Sequence, residues 1–198
     1  DPTKGYILLN GVDIREYEEA QYRKLFAVVF QDFKLFALPL GQNVAASTEY
    51  DSEKVQECLS KAGFDARSAR MEKGLDTWLY KDCDADGVSI SGGEEQKIAL
   101  ARALYQNAAF LILDEPLEGF DPVFRKNFLS IMQDILNEDV GIFISSHITE
   151  TLKKLADYLL FADNGIITFH CPEQMDAFLA DKLKRSHTHI RDLLSRNS

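Results

Sequence analysis

The apolar residues of this chain fall into short, dense runs separated by helical stripes. Residues 110–113, Phe-Leu-Ile-Leu, form a continuous apolar run, the mark of a strand buried on both faces of a parallel sheet. Residues 142–144 repeat the pattern, and residues 27–30 give a third short strand that ends at Gln31. Residues 5–14 read as two short strands turning at Asn10-Gly11, and 158–161 and 166–169 flank a second such pair, Asn164-Gly165. Helical spacing fills the intervals. Residues 16–25 form one candidate helix. Val55, Cys58, Leu59 and Ala62 share one face of a pattern running from residue 51 to about 79. Asp121-Pro122 supplies an N-cap and a proline at the first helical position. The helix beyond it carries Phe124, Phe128, Ile131, Met132 and Ile135 as a core stripe. A helix through Leu152 and Leu155 follows, and a last one starts near residue 173 and runs into a charged, frayed tail. Strand–helix alternation of this kind predicts an α/β fold with a mostly parallel sheet. Pro39 and Gly41 break the chain, so residues 42–104 are expected to form a helical lobe inserted between 1–41 and 105–198.

Composition narrows the function. The formal charge of −10 over 198 residues argues against broad nucleic-acid binding, which needs a basic footprint. No apolar run approaches the ~20 residues of a membrane span, and no basic segment followed by an apolar stretch opens the chain. A membrane link therefore has to come through a partner or further sequence. Cys58, Cys83 and Cys171 are widely spaced and odd in number, which fits reduced thiols in a cytosolic setting. His187 and His189 fall in the charged tail without a ligand cluster around them.

Two segments carry the sharpest chemistry. In Ser91-Gly92-Gly93-Glu94-Glu95-Gln96-Lys97, Ser91 with Glu94 three residues on is a capping box, so Ser91 opens a helix. Free N–H groups and the helix dipole favour an anion there, and two glycines clear side chains from the approach. A plain capped helix after a glycine turn would show the same residues. The second segment, Phe110-Leu111-Ile112-Leu113-Asp114-Glu115-Pro116, delivers two carboxylates at the carboxyl end of a strand, where ligands bind in open α/β sheets.

The run Ile-Ser-Gly-Gly-Glu-Glu-Gln-Lys-Ile-Ala-Leu-Ala-Arg-Ala-Leu from residue 90 resembles the signature motif of ABC transport ATPases and the helix after it. The segment ending in Asp114-Glu115 resembles the Walker B strand at the family's spacing. The resemblance covers residues 5 to 169. It implies a P-loop NTPase core with an inserted helical signature subdomain, binding ATP and Mg²⁺. It implies that Asp114 helps hold Mg²⁺ and that Glu115 orients or deprotonates the attacking water. His147, in Ser145-Ser146-His147, is similar to the histidine that touches the γ-phosphate. Gln31 is similar to the Q-loop glutamine that reaches Mg²⁺ and marks the coupling region, with Phe33, Leu35 and Phe36 beyond it lining the groove for a membrane domain. Asp121 is similar to the D-loop aspartate at the dimer contact. Ser91, Gly92, Gly93 and Glu94 would face the nucleotide of a second subunit, and residues 82–87 would take the place of the loop that senses the membrane domain in exporters. The implied partners are a second nucleotide-binding domain, in a homo- or heterodimer, and a transmembrane domain, which places the chain at the cytoplasmic face of a membrane.

Departures are as informative. No segment fits the P-loop pattern G-x-x-x-x-G-K-[ST], so the expectation is a chain that begins after the P-loop strand and helix, with marginal stability and no ATP hydrolysis alone. Glu94 stands where the family has glutamine and puts a negative charge beside an anion site. Leu117 and Glu118 replace smaller, more neutral residues ahead of Asp121. Two other functions stay open: an ABC ATPase outside transport, and a degenerate module that only docks. The DNA-repair type carries long coiled coils between the positions of Gln31 and Ser91, which here stand only 60 apart.

Overall fold

The computed structural model describes residues 2–65, 71–117, 122–146, 156–163, 166–171 and 174, with backbone alone for 122–126, 159, 161, 163 and 166. The chain divides into two units, residues 1–147 and 148–198.

The first unit opens with a hairpin, β1 (Leu8–Leu9) against β2 (Val12–Asp13). Asn10 and Gly11 both hold positive φ, 51° and 81°, as a two-residue type I′ turn requires. The helix expected over 16–25 is broken in two. Asp13 caps a single 3₁₀ turn, Ile14–Glu16, and α1 (Glu19–Arg23) starts anew after Glu18, whose backbone is extended. Strand β3 (Phe26–Val29) follows.

Then come α2 (Leu40–Ala45) and α3 (Ser52–Lys61). Asp51 caps α3 by accepting from the Glu53 and Lys54 amides, a contact worth ~1 kcal/mol. The expected face of Val55, Cys58, Leu59 and Ala62 is buried. The helical pattern does not, however, run on to 79. Gly63 turns left-handed at φ 73°, which ends α3. Later residues form a 3₁₀ turn, Gly74–Asp76, and then an extended stretch that bridges Pro39 to Trp78 and Leu79 to Val88. Helix α4 (Gly92–Tyr105) packs against α2, α3 and β3.

Three parallel strands form the sheet, in the order β3, β4 (Phe110–Asp114), β5 (Gly141–Ser145). Helix α5 (Pro122–Leu136) connects the last two, with Pro122 as its first residue. Its stripe of Phe128, Met132 and Ile135 is buried. The Phe124 side chain, and the expected cap Asp121, lie outside the described residues.

The sheet corrects one expectation. Leu111 and Leu113 are buried at 2% and 1% exposure, but their neighbours Phe110 and Ile112 are only half-buried, and on β5 Phe143 is 50% exposed. The strands are therefore covered on one face, by α4 and α5. On the other face Val28 and Phe143 are exposed, and the rings of Phe26, Phe110 and Phe143 lie in a row at centroid separations of 5.6 and 6.1 Å. Within the sheet, β5 pairs with β4 alone among the described residues.

In the second unit β6 (Leu159–Asp163) pairs antiparallel with β7 (Ile166–His170), Asp163 opposite Ile166. The expected helices through Leu152 and from residue 173, and His187 and His189, lie outside the described residues. The three cysteines are free thiols. No helix among the described residues is long and apolar enough to cross a membrane.

Candidate functional site

Alternation along β4 and β5 decides where the polar residues emerge. Asp114 opposes Ser145 in the parallel register. Both are exposed and follow the parity of Phe110, Ile112 and Phe143, so they stand at the carboxyl edge on the uncovered face. The Ser145 hydroxyl donates a hydrogen bond to the Asp114 carboxylate. The Glu115 N–H donates to both the carbonyl and the Oγ of Ser145, at 3.1 Å each. Glu115 itself sits in the left-handed region at φ 45°, a conformation costing roughly 1–2 kcal/mol for a residue with a Cβ. Its turn ends the strand and sends the chain through Pro116 to the buried Leu117.

Gln31 follows β3, two residues beyond Val29, which opposes Leu113. It is exposed, so Gln31, Asp114 and Ser145 crown three adjacent strands. Beside Asp114 an apolar cleft opens between Phe30, Phe33, Leu100, Pro116 and Phe128. Gln96 lines it too, and its buried Oε1 has no hydrogen-bond partner among the described residues. His147 and Asp121 lie outside the described residues.

The helix tip at Ser91 forms the capping box read from the sequence. The Glu94 N–H donates to Ser91 Oγ at 3.4 Å, and Glu94 Oε2 accepts from the Ser91 N–H at 2.9 Å and from its hydroxyl at 2.7 Å. Ser91 and Gly92 are exposed. A Cβ added to Gly92 would meet no atom within 4 Å. Among the described residues nothing therefore requires glycine at this first helical position, where glycine costs up to ~1 kcal/mol against alanine. The Glu94 carboxylate takes the Ser91 N–H and hydroxyl and so puts a negative charge beside the tip an anion would approach.

Sequence inspection missed Asn43, Tyr80 and Arg102. Tyr80 donates its hydroxyl to Glu95 in the first turn of α4, and burial first, then that bond, pushes its ionisation well above the ordinary phenol range. Asn43 is 1% exposed and polar, which only the fold reveals.

Residues 1–118, more than half of the chain, match the ABC transporter family. The chain belongs to that family. It is 35% identical over 84% of its length to an ATP-dependent lipid A-core flippase of Vibrio parahaemolyticus, covering 28% of that protein. It is 34% identical over 83% of its length to the subtilin transport ATP-binding protein SpaT of Bacillus subtilis, covering 27% of it. Among solved structures, a bacterial Atm1-family ABC exporter with ATP bound superposes with a TM-score of 0.77 at 26% identity, over 94% of this chain and 33% of that one. The chain thus spans little more than a quarter of the curated relatives it matches. Its fold is that of an ABC ATPase, and ABC membership implies ATP binding.

Proposed function

We propose that the chain serves as the ATP-binding domain of an ABC exporter, working against a second ATP-binding domain and a transmembrane partner at the cytoplasmic face of a membrane. The observation that carries this is the placing of Asp114 and Ser145 at the carboxyl edge of adjacent parallel strands, with an open helix tip at Gly92 in the same unit. Residues 42–104 act as the signature lobe and the strands around them as the catalytic half. The donor set suits Mg²⁺. No three His, Cys, Asp or Glu side chains converge into a metal cage among the described residues, and Mg²⁺ takes one or two carboxylates with waters and phosphate oxygens instead. Asp114 and Gln31 are the residues to hold it. Bound Mg·ATP supplies a polarised γ-phosphate. Glu115 then orients the attacking water and accepts its proton, and His147 donates to the γ-phosphate. Ser91, Gly92, Gly93 and Glu94 offer the helix tip to the nucleotide of the second subunit, and Asp121 makes the contact between subunits. The 198 residues contain no P-loop lysine to neutralise the β- and γ-phosphates, so they do not turn over ATP by themselves.

The test is photo-crosslinking of ATP to a dimer of this chain with a domain that carries its own P-loop. Labelling that is lost with Ser91→Arg supports the proposal; labelling indifferent to Ser91→Arg sinks it. A docking module without nucleotide is the second possibility, favoured by the Glu94 carboxylate on Ser91. It predicts no labelling of this chain in any dimer.

A further inference from the structure

Residues 34–38 present Lys34, Phe36 and Leu38 to solvent, yet their inner side is tied down by two polar side chains. Buried Asn43 accepts from the Phe36 N–H at 2.9 Å, and its Nδ2 reaches the carbonyls of Phe36 and Leu38 at 3.0 Å each and of Pro39 at 3.4 Å. Arg102, half-buried in the last turn of α4, donates from Nε to the Asn43 carbonyl at 2.7 Å. It also donates from Nη1 to the Lys34 carbonyl at 3.1 Å and from Nη2 to Asn43 Oδ1 at 3.3 Å. Its guanidinium lies 5.6 Å from the centroid of the Phe36 ring. Every one of these acceptors is neutral. A partly desolvated cation held, among the described residues, by carbonyls and an amide is placed for geometry, since a planar fork holds several acceptors in one fixed arrangement where lysine offers three rotatable donors at a single point. A second line joins the same parts. Leu79 donates to Leu38, Val88 to Trp78 and Tyr80 to Val88, at 3.1, 2.9 and 2.8 Å, and the Tyr80 hydroxyl closes on Glu95.

We propose that Arg102, acting through Asn43, is the positioning residue that makes residues 34–43 and the helix carrying Ser91 one rigid body. A load on the exposed side of Phe36 is thereby delivered to the helix tip, ~16 Å along α4 from Arg102 at 1.5 Å per residue. The purpose of the link rests on the transporter proposal, because that segment follows Gln31 and would meet the membrane partner. The link itself is a property of this chain.

Hydrogen–deuterium exchange on the full chain tests it. Arg102→Met keeps the aliphatic stem and removes the fork. Amides of residues 34–38 are expected to exchange about tenfold faster, the scale set by losing a charge-assisted hydrogen bond. Amides of residues 95–98, which share no bond with Arg102's fork, are expected to speed up with them by about threefold or more. Asn43→Ala reproduces both effects, and the double variant adds nothing to either single one. Arg102→Lys recovers only part of the protection. Faster exchange confined to 34–38 with the tip unchanged overturns the proposal, and so does full recovery with lysine. Should the methionine variant fail to fold, the lysine variant alone decides by the same two regions. The experiment uses no nucleotide and no partner, so its failure leaves the transporter proposal standing, and failed photo-crosslinking leaves this link standing.

Discussion

The two faces of the three-stranded sheet are built from the same kinds of residue and meet different fates. On one, Ala27, Leu111 and Leu113 disappear beneath helices; on the other, Val28 and Phe143 remain exposed. The covered face holds the unit together. The open face carries Asp114 and Ser145 at its carboxyl edge, so the candidate chemistry lies on the side with the least packing to hold it. Parallel sheets are ordinarily covered on both faces. Here the second face leaves Val28 and Phe143 exposed, with Asp114 and Ser145 at its edge.

The contrast breaks first under truncation. Leu113→Ala on the covered face is expected to cost roughly 2–5 kcal/mol, whereas Ile112→Ala, one residue along on the open face, should cost less than half as much. Denaturant unfolding of the two variants measures the difference, and equal costs would mean that both faces are packed. At the rim of the covered side, Asp51→Ala removes the cap of α3 and should lower stability by ~1 kcal/mol, read from the same curves. Phe143→Ser should leave the midpoint nearly unchanged and reduce self-association, because it shrinks an exposed apolar patch on β5, which pairs with β4 alone among the described residues. Sedimentation at rising concentration checks this; unchanged association would place the sticky surface elsewhere. The smallest effect is a pH dependence. Tyr80, at the helix side, ionises later in the folded chain than in the unfolded one. The folded state then binds more protons above the ordinary phenol pKa of ~10, and stability falls as pH rises beyond it. Tyr80→Phe should flatten that alkaline decline in thermal melts run from pH 9 upward, with ~10 as the starting point.

Much of this was legible beforehand, for definable reasons. Dense apolar runs located β3, β4 and β5, and Asn-Gly pairs located both hairpins, because these signals are local. The capping box at Ser91 was equally local, since both partners lie within one helical turn. Coverage was not legible. A run such as Phe-Leu-Ile-Leu states what a strand can bury, while burial itself depends on whether another element arrives. The misplaced helix beyond Lys61 has a similar cause. Residues 77–79 are held extended by single bridges to Pro39 and Val88, and no local rhythm announces so distant a partner. Asn43 and Arg102, 59 positions apart, are invisible for the same reason: each alone reads as an ordinary polar residue on a helix. The roles of Gln31, Asp114, Glu115, Ser91 and Asp121 came through resemblance, and they remain the part to be tested by chemistry.

The left-handed backbone at Glu115 sets stability against activity at a single position. Glycine there would relax the chain by up to ~1 kcal/mol and delete the proposed base in the same stroke. Any selection for heat tolerance alone would thus be drawn toward a sturdier protein without that proposed base. Variants recovered from such a screen should be assayed in the dimer with a P-loop-bearing domain before they are trusted as improvements.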